Sequence, residues 1–168
     1  MRDAPNALAD QVARLAAALM QRGWLLVTAE SCTGGGIAAA LTDRPGSSAW
    51  FERGYVSYSN AAKIELLGVQ ASTLAQHGAV STAVAQEMAV GALARSHAQL
   101  ALSVTGIAGP DGGTQDKPVG TICFAWAVAE QPCRLETRQF AGDRQAVRRQ
   151  ACIHALSGAL AEVQKAHA

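Results

Sequence analysis

Three apolar runs of strand length pass directly into polar, turn-rich stretches. "WLLVTA" at 24–29 leads into "ESCTGGG", "GYVSYS" at 54–59 carries the start of "YSNAAK", and "LALSV" at 100–104 leads into "TGIAGPDGGT". Between such runs the apolar residues recur with the period of a helix. Leu8, Val12, Leu15, Leu19 and Met20 line one face of a first helix that Gly23 ends. A second helix is expected from about Gly35 to Thr42, closed by "DRPG". "NAAKIELL" reads as a helix entered through Ser59 or Asn60 and left at Gly68; "VSTAVAQEMAVGALARSHA" as another, capped by Ser81, with Val84, Met88, Gly91 and Ala92 facing inward. "VGTICFAWAVA" has the unbroken apolarity of a strand buried on both faces, and "RLETRQF" the alternation of an edge strand. A long helix opens at Asp143, whose carboxylate suits the positive end of the helix dipole. Strands alternating with helices predict an α/β fold. The expectation is one domain over 1–168, a three-layer α/β/α sandwich around a mostly parallel or mixed central sheet.

A chain of 168 residues buries a sizeable core without disulfides or metal. Lys plus Arg number 14 against 13 Asp plus Glu, so the chain lacks the overall positive field of a general nucleic-acid binder. Cys32, Cys123, Cys133 and Cys152 form no C-x-x-C pair and read as reduced thiols. Asp3, Asp10 and Arg14 interrupt the segment that a signal peptide needs apolar, and no run approaches the roughly 18 apolar residues of a membrane span. The cytoplasm is the expected location, without a membrane partner.

In open α/β sheets, sites form beyond the carboxyl ends of strands, where the three polar stretches fall. Ser31 follows a strand and precedes a helix, so it is placed for exposure at the sheet edge, with the amides of Thr33, Gly34 and Gly35 nearby to hold an oxyanion. Ser31 or Thr33 serves equally as an ordinary helix cap on this pattern alone. Cys32 competes as nucleophile, or is simply a small buried residue. None of His77, His97, His154 and His167 falls in a glycine-rich turn, which argues against a Ser-His-Asp triad. Lys63, in the first turn of its helix, is the better base if burial or the helix dipole lowers its pKa; Tyr58 is placed to relay a proton or orient a substrate. Their alternatives are a solvated helix lysine and an ordinary strand aromatic.

Other templates fit worse. The third residue after Ser31 is Gly34, not the lysine of S-x-x-K; Tyr58 and Lys63 lack Y-x-x-x-K spacing; and there is neither G-x-G-x-x-G after the first strand nor G-K-[ST]. No metal-ligand spacing is present, so no metal and no cofactor are expected. The glycines of 105–120 permit a nest of amides for a phosphate or carboxylate, or a mobile crossover. Arg144 and Arg148, four apart, form a possible phosphate fork on one helix face.

"TAESCTGGGIAAALTDRPGSSAWFERGYVSYSNAAKIELLGV", "HGAVS", "VTGIAGPDGGTQDKPVG" and "FAGDRQAVRRQA", in this order, resemble the signature segments of the CinA C-terminal domain family. Its stand-alone members include nicotinamide-nucleotide amidohydrolases. The resemblance implies hydrolysis of the carboxamide of nicotinamide mononucleotide, giving nicotinic acid mononucleotide and ammonia in pyridine-nucleotide salvage. It carries the catalytic roles onto Ser31, Tyr58 and Lys63, and substrate contacts onto Glu30, Thr33, Gly34, Gly35, Asn60, Thr105, Gly106 and Gly109, with Arg144 for the phosphate. The larger N-terminal domain of many members has no counterpart in these residues. A homo-oligomer is expected. The alternative is a catalytically silent nucleotide- or partner-binding module.

Overall fold

The computed structural model describes residues 4–165, so Asp3 and His167 lie outside the described residues. Strands β1 (Leu26–Glu30), β2 (Phe51–Val56), β3 (Leu100–Gly106), β4 (Thr121–Val128) and β5 (Arg134–Gln139) form one sheet in the order β2-β1-β3-β4-β5. β1 pairs in parallel with both β2 and β3, whereas β4 runs antiparallel to β3 and β5. The expected mixed-sheet sandwich is the architecture found.

Helices α1 (Ala4–Arg22), α2 (Gly36–Thr42) and α6 (Arg144–Lys165) cover one face. Their Val12, Leu15, Leu19, Ile37, Leu41 and Leu156 pack on Leu26, Leu100, Leu102, Phe124 and Trp126. Burial of each such leucine stabilises the fold by about 2 kcal/mol. The opposite face of the same strands is made of small residues. Ala101, Cys123, Ala125 and Ala127 alternate with the large ones and receive α5 (Thr82–Ala94) through Val84, Ala85, Met88 and Ala92. On the bulky face, α6 comes close to Trp126 because Gly158 is there: a Cβ at Gly158 would stand 2.1 Å from the indole ring, whose Nε1 donates to the carbonyl of Ala155 at 2.8 Å.

Local signals act as expected at several helix starts. Ser59 Oγ accepts from the Ala62 amide at 3.0 Å and caps α3 (Asn60–Leu67); Ser81 Oγ caps α5 through Val84 at 3.2 Å, and Asp143 Oδ1 accepts from Ala146 at 2.8 Å at the start of α6. Two elements differ from the sequence reading. β2 begins at Phe51 and ends at Val56, so Ser57, Tyr58 and Ser59 have already left the strand. Helix α4 (Ala71–His77) has no side-chain cap and too few turns to stand alone. It is tied to α5 instead, where Glu87 accepts from the Gln70 amide at 2.8 Å and from Thr73 Oγ1 at 2.6 Å.

The four cysteines are free thiols. Among the described residues no helix is long and apolar enough to cross a membrane, and no group of side chains is arranged to hold a metal ion.

Candidate active site

The sheet order brings the three polar stretches to one edge. Glu30 at the end of β1 is in register with Val56 of β2 and Val104 of β3, so Ser31 and Ser57 leave the sheet at the level of Thr105, which stays in β3 paired with Cys123 of β4. The ladder continues one step past the strands: the Ser31 amide donates to Val104 O at 3.0 Å and the Ser57 amide to Glu30 O at 2.8 Å. Because α3 starts three residues after Ser57, its first turn folds Lys63 back over these strand ends.

Lys63 Nζ lies 2.9 Å from Ser31 Oγ, 2.9 Å from the carbonyl of Ser57 and 3.3 Å from that of Tyr58. Lys63 is 1% exposed and Ser31 7%. Among the described residues no carboxylate is within ion-pairing distance of this amine. Burial without a counter-charge penalises the ammonium and holds the pKa of Lys63 below the ordinary lysine value. Burial acts the other way on a thiol: Cys32, beside Ser31, is pushed up to about 12 and is a neutral thiol near pH 7.

A cavity of about 180 Å³ opens at this pair. Of the residues singled out in the sequence, Ser31, Tyr58, Asn60, Lys63, Thr105, Gly106 and Arg144 line it, together with Cys32. Ala79, Val80 and Ala108 line it too, unforeseen individually, although "HGAVS" and "TGIAGP" stood among the quoted segments. Thr105 Oγ1 fixes the first of these by donating to Ala79 O at 2.9 Å. A larger hollow of about 610 Å³ between α3, α4 and α5 contains neither Ser31 nor Lys63.

The remaining expected contacts are committed elsewhere. Glu30 is fully buried, and its carboxylate accepts from the amides of Ile37 at 2.8 Å and Ala38 at 3.0 Å, closing the first turn of α2. Thr33, Gly34 and Gly35 shape the turn without lining the cavity. The Gly34 amide donates back to Ser31 O at 3.0 Å, so it is not free for an oxyanion. Gly109 is also absent from the lining, and its carbonyl accepts from Arg144 at 2.8 Å.

The other guanidinium contact of Arg144 donates to the Tyr58 hydroxyl at 3.1 Å, joining the last helix to the strand-end loop. The hydroxyl of Tyr58 therefore faces Arg144, while Lys63 reaches Ser31 directly, and no relay between the two is needed. The phosphate fork does not form either. Arg148 turns away from Arg144 and donates to the carbonyls of Cys32 and Thr33. Among the described residues no histidine lines the cavity; His154 packs against Phe124, Trp126 and Phe140.

Comparison with known proteins matches the model of the CinA C-terminal domain to residues 8–163. The chain belongs to the CinA C-terminal domain family. Among curated relatives, a protein of Enterobacter agglomerans named nicotinamide-nucleotide amidohydrolase PncC is 56% identical over 90% of this chain and 92% of its own length. A Pseudomonas putida protein of the same name is 57% identical over 80% of this chain and 84% of its own. Solved CinA-family structures share the fold. The competence/damage inducible protein CihA from Agrobacterium tumefaciens has a TM-score of 0.92 at 40% identity, covering 98% of this chain and 99% of its own. A CinA superfamily protein from Klebsiella pneumoniae has 0.90 at 41%, covering 94% and 98%.

Proposed function

We propose that this protein is a nicotinamide-nucleotide amidohydrolase, converting nicotinamide mononucleotide and water to nicotinic acid mononucleotide and ammonia. The observation that carries this reading is the direct contact of a buried, uncompensated lysine with a serine at the sheet edge, in a chain more than half identical to amidohydrolases of that name.

A neutral amine has two N–H donors and one lone pair. The carbonyls of Ser57 and Tyr58 match the two donors, which leaves the lone pair to receive the Ser31 hydroxyl proton. In the proposed reaction Lys63 takes that proton as Ser31 Oγ attacks the carboxamide carbon. The amides of Gly34, Gly36, Ile37 and Ala38 are bonded within the protein, which leaves those of Cys32, Thr33 and Gly35 in this turn to hold the oxyanion, and of these three residues Cys32 lines the cavity. The C–N bond breaks as Lys63 passes its proton to the nitrogen, and ammonia leaves. Water then attacks the acyl ester with Lys63 as base, releasing the carboxylate and restoring Ser31.

The cavity equals the volume of about six water molecules, suited to the carboxamide-bearing ring with the ribose phosphate at its mouth. Arg144 uses two of its five donors on Gly109 and Tyr58, leaving the others for the phosphate. Tyr58 and Asn60 orient the substrate in this reading. We further propose a cytoplasmic role in pyridine-nucleotide salvage as a symmetric homodimer, with no nucleic-acid or membrane partner, in keeping with the balanced charge. The test is ammonia release across nicotinamide mononucleotide, nicotinamide riboside and nicotinamide. Turnover of the mononucleotide with loss on removing the phosphate supports the reading; tight binding without ammonia turns it into a silent nucleotide-binding module.

A further inference from the structure

The turn after Ser31 is held from outside by a side chain that does not line the cavity. Arg148 on α6 donates from Nε to the carbonyl of Cys32 at 3.1 Å and from its terminal nitrogen to the carbonyl of Thr33 at 3.0 Å. No carboxylate among the described residues is within ion-pairing distance of it, so the guanidinium charge is directed at these two peptides. The approach depends on Gly34, which has φ +59 and whose added Cβ would lie 3.3 Å from that terminal nitrogen. The carbonyl of Cys32 and the amide of Thr33 belong to one peptide group. A cation on the oxygen polarises the whole group and makes its N–H a stronger donor, and the paired contact on Thr33 O fixes its direction.

We propose that Arg148 is a positioning residue for the reaction at Ser31, clamping the Cys32 and Thr33 carbonyls so that the unbonded amides of Cys32 and Thr33 are held in place as oxyanion donors. This rests on the serine amidohydrolase reading and adds to it a residue outside the cavity. A loose turn binds the ground-state amide as before, because the carboxamide oxygen carries little charge. It loses the transition state, where that oxygen is negative.

The test compares the full-length wild type, Arg148→Gln and Arg148→Lys in two assays. The first is kcat and KM for ammonia release from nicotinamide mononucleotide. The second is phosphonylation of Ser31 by a fluorophosphonate, in which Oγ attacks phosphorus, its proton passes to Lys63, the P–F bond breaks and fluoride leaves. Loss of an oxyanion donor typically costs on the order of a hundred-fold in kcat. Arg148→Gln is expected to lose about that in kcat and in the phosphonylation rate, with KM within a few-fold and melting within a few degrees of wild type. Arg148→Lys, which keeps the charge but not the planar fork that spans both carbonyls, is expected to recover about ten-fold of the loss. Should the glutamine variant fail to fold, the lysine variant carries the test, with about a ten-fold deficit in both rates. Unchanged kcat and phosphonylation, or a loss confined to KM, overturns the proposal. If the wild type releases no ammonia, the substrate reading fails, and the phosphonylation rates still decide the role of Arg148.

Discussion

Lys63 Nζ stands 2.9 Å from Ser31 Oγ, with the carbonyls of Ser57 and Tyr58 on its other sides and no carboxylate among the described residues to neutralise it. Two residues 32 apart in sequence are joined because β1 and β2 are parallel neighbours in register and α3 begins immediately beyond them. In the proposed reaction the amine serves as a base only when uncharged, which ties activity to pH.

Burial lowers the pKa of Lys63, so kcat/KM for the amide is expected to rise with pH through that lowered value and level off before the ordinary lysine range. Stability follows the same group. Between the folded and unfolded pKa values the unfolded chain binds the extra proton, so wild-type stability gains on Lys63→Met as pH rises through that window and stays level above it. Urea unfolding of both proteins across the alkaline range checks the sign. Wild-type stability that falls relative to Lys63→Met with rising pH contradicts a depressed lysine.

Cys32 lines the same cavity, but its thiol is pushed up to about 12 by burial. Alkylation of native protein by iodoacetamide near pH 7 is expected to be slow at this position, and Cys32→Ala to keep its ammonia release. Rapid labelling of Cys32 on peptide mapping, accompanied by loss of activity, would move the nucleophile to the thiol.

Arg144→Gln removes the charge from the cavity mouth and the contact to Tyr58. Hydrogen bonds to charged groups contribute about 1.5–3 kcal/mol, so kcat/KM for the mononucleotide is expected to fall roughly ten- to a hundred-fold, mainly through KM. The riboside, lacking the phosphate, should be affected far less. Equal losses on both substrates would mean that Arg144 acts on the loop and Tyr58 instead.

The fold was legible because its signals are local. Apolar runs, Ser59 and Ser81 as caps, and Gly23 and Gly68 as stops act within a few residues. Helix α4 escaped notice because its support comes from Glu87, more than a dozen residues away. Ser31 was readable as a polar residue after a strand and Lys63 as a lysine in the first turn of the helix that follows the next strand. What spacing could not reveal was direction: Arg144 and Arg148 share a helical stripe, yet one guanidinium turns to Gly109 and Tyr58 and the other to the Ser31 turn. The resemblance gave Glu30 a substrate contact, but a strand alternates its faces, and its carboxylate instead meets the unpaired amides of α2. The carbonyls of Ser57 and Tyr58 leave no trace in side-chain chemistry.

Gly158→Ala forces a methyl group into the indole of Trp126. Overpacking of this kind costs about 1–3 kcal/mol, a few degrees in melting temperature for a chain of this size. Since the contact lies under α6, away from the cavity lining, ammonia release per folded molecule should persist. Wild-type stability in the variant would mean that the helix shifts freely.

The most direct measurement is steady-state ammonia release from nicotinamide mononucleotide by wild type and Ser31→Ala at equal folded concentration. Removal of the proposed nucleophile is expected to reduce kcat by about a thousand-fold or more while the substrate still binds. Ser31→Ala turning over at the wild-type rate would contradict the account at its centre.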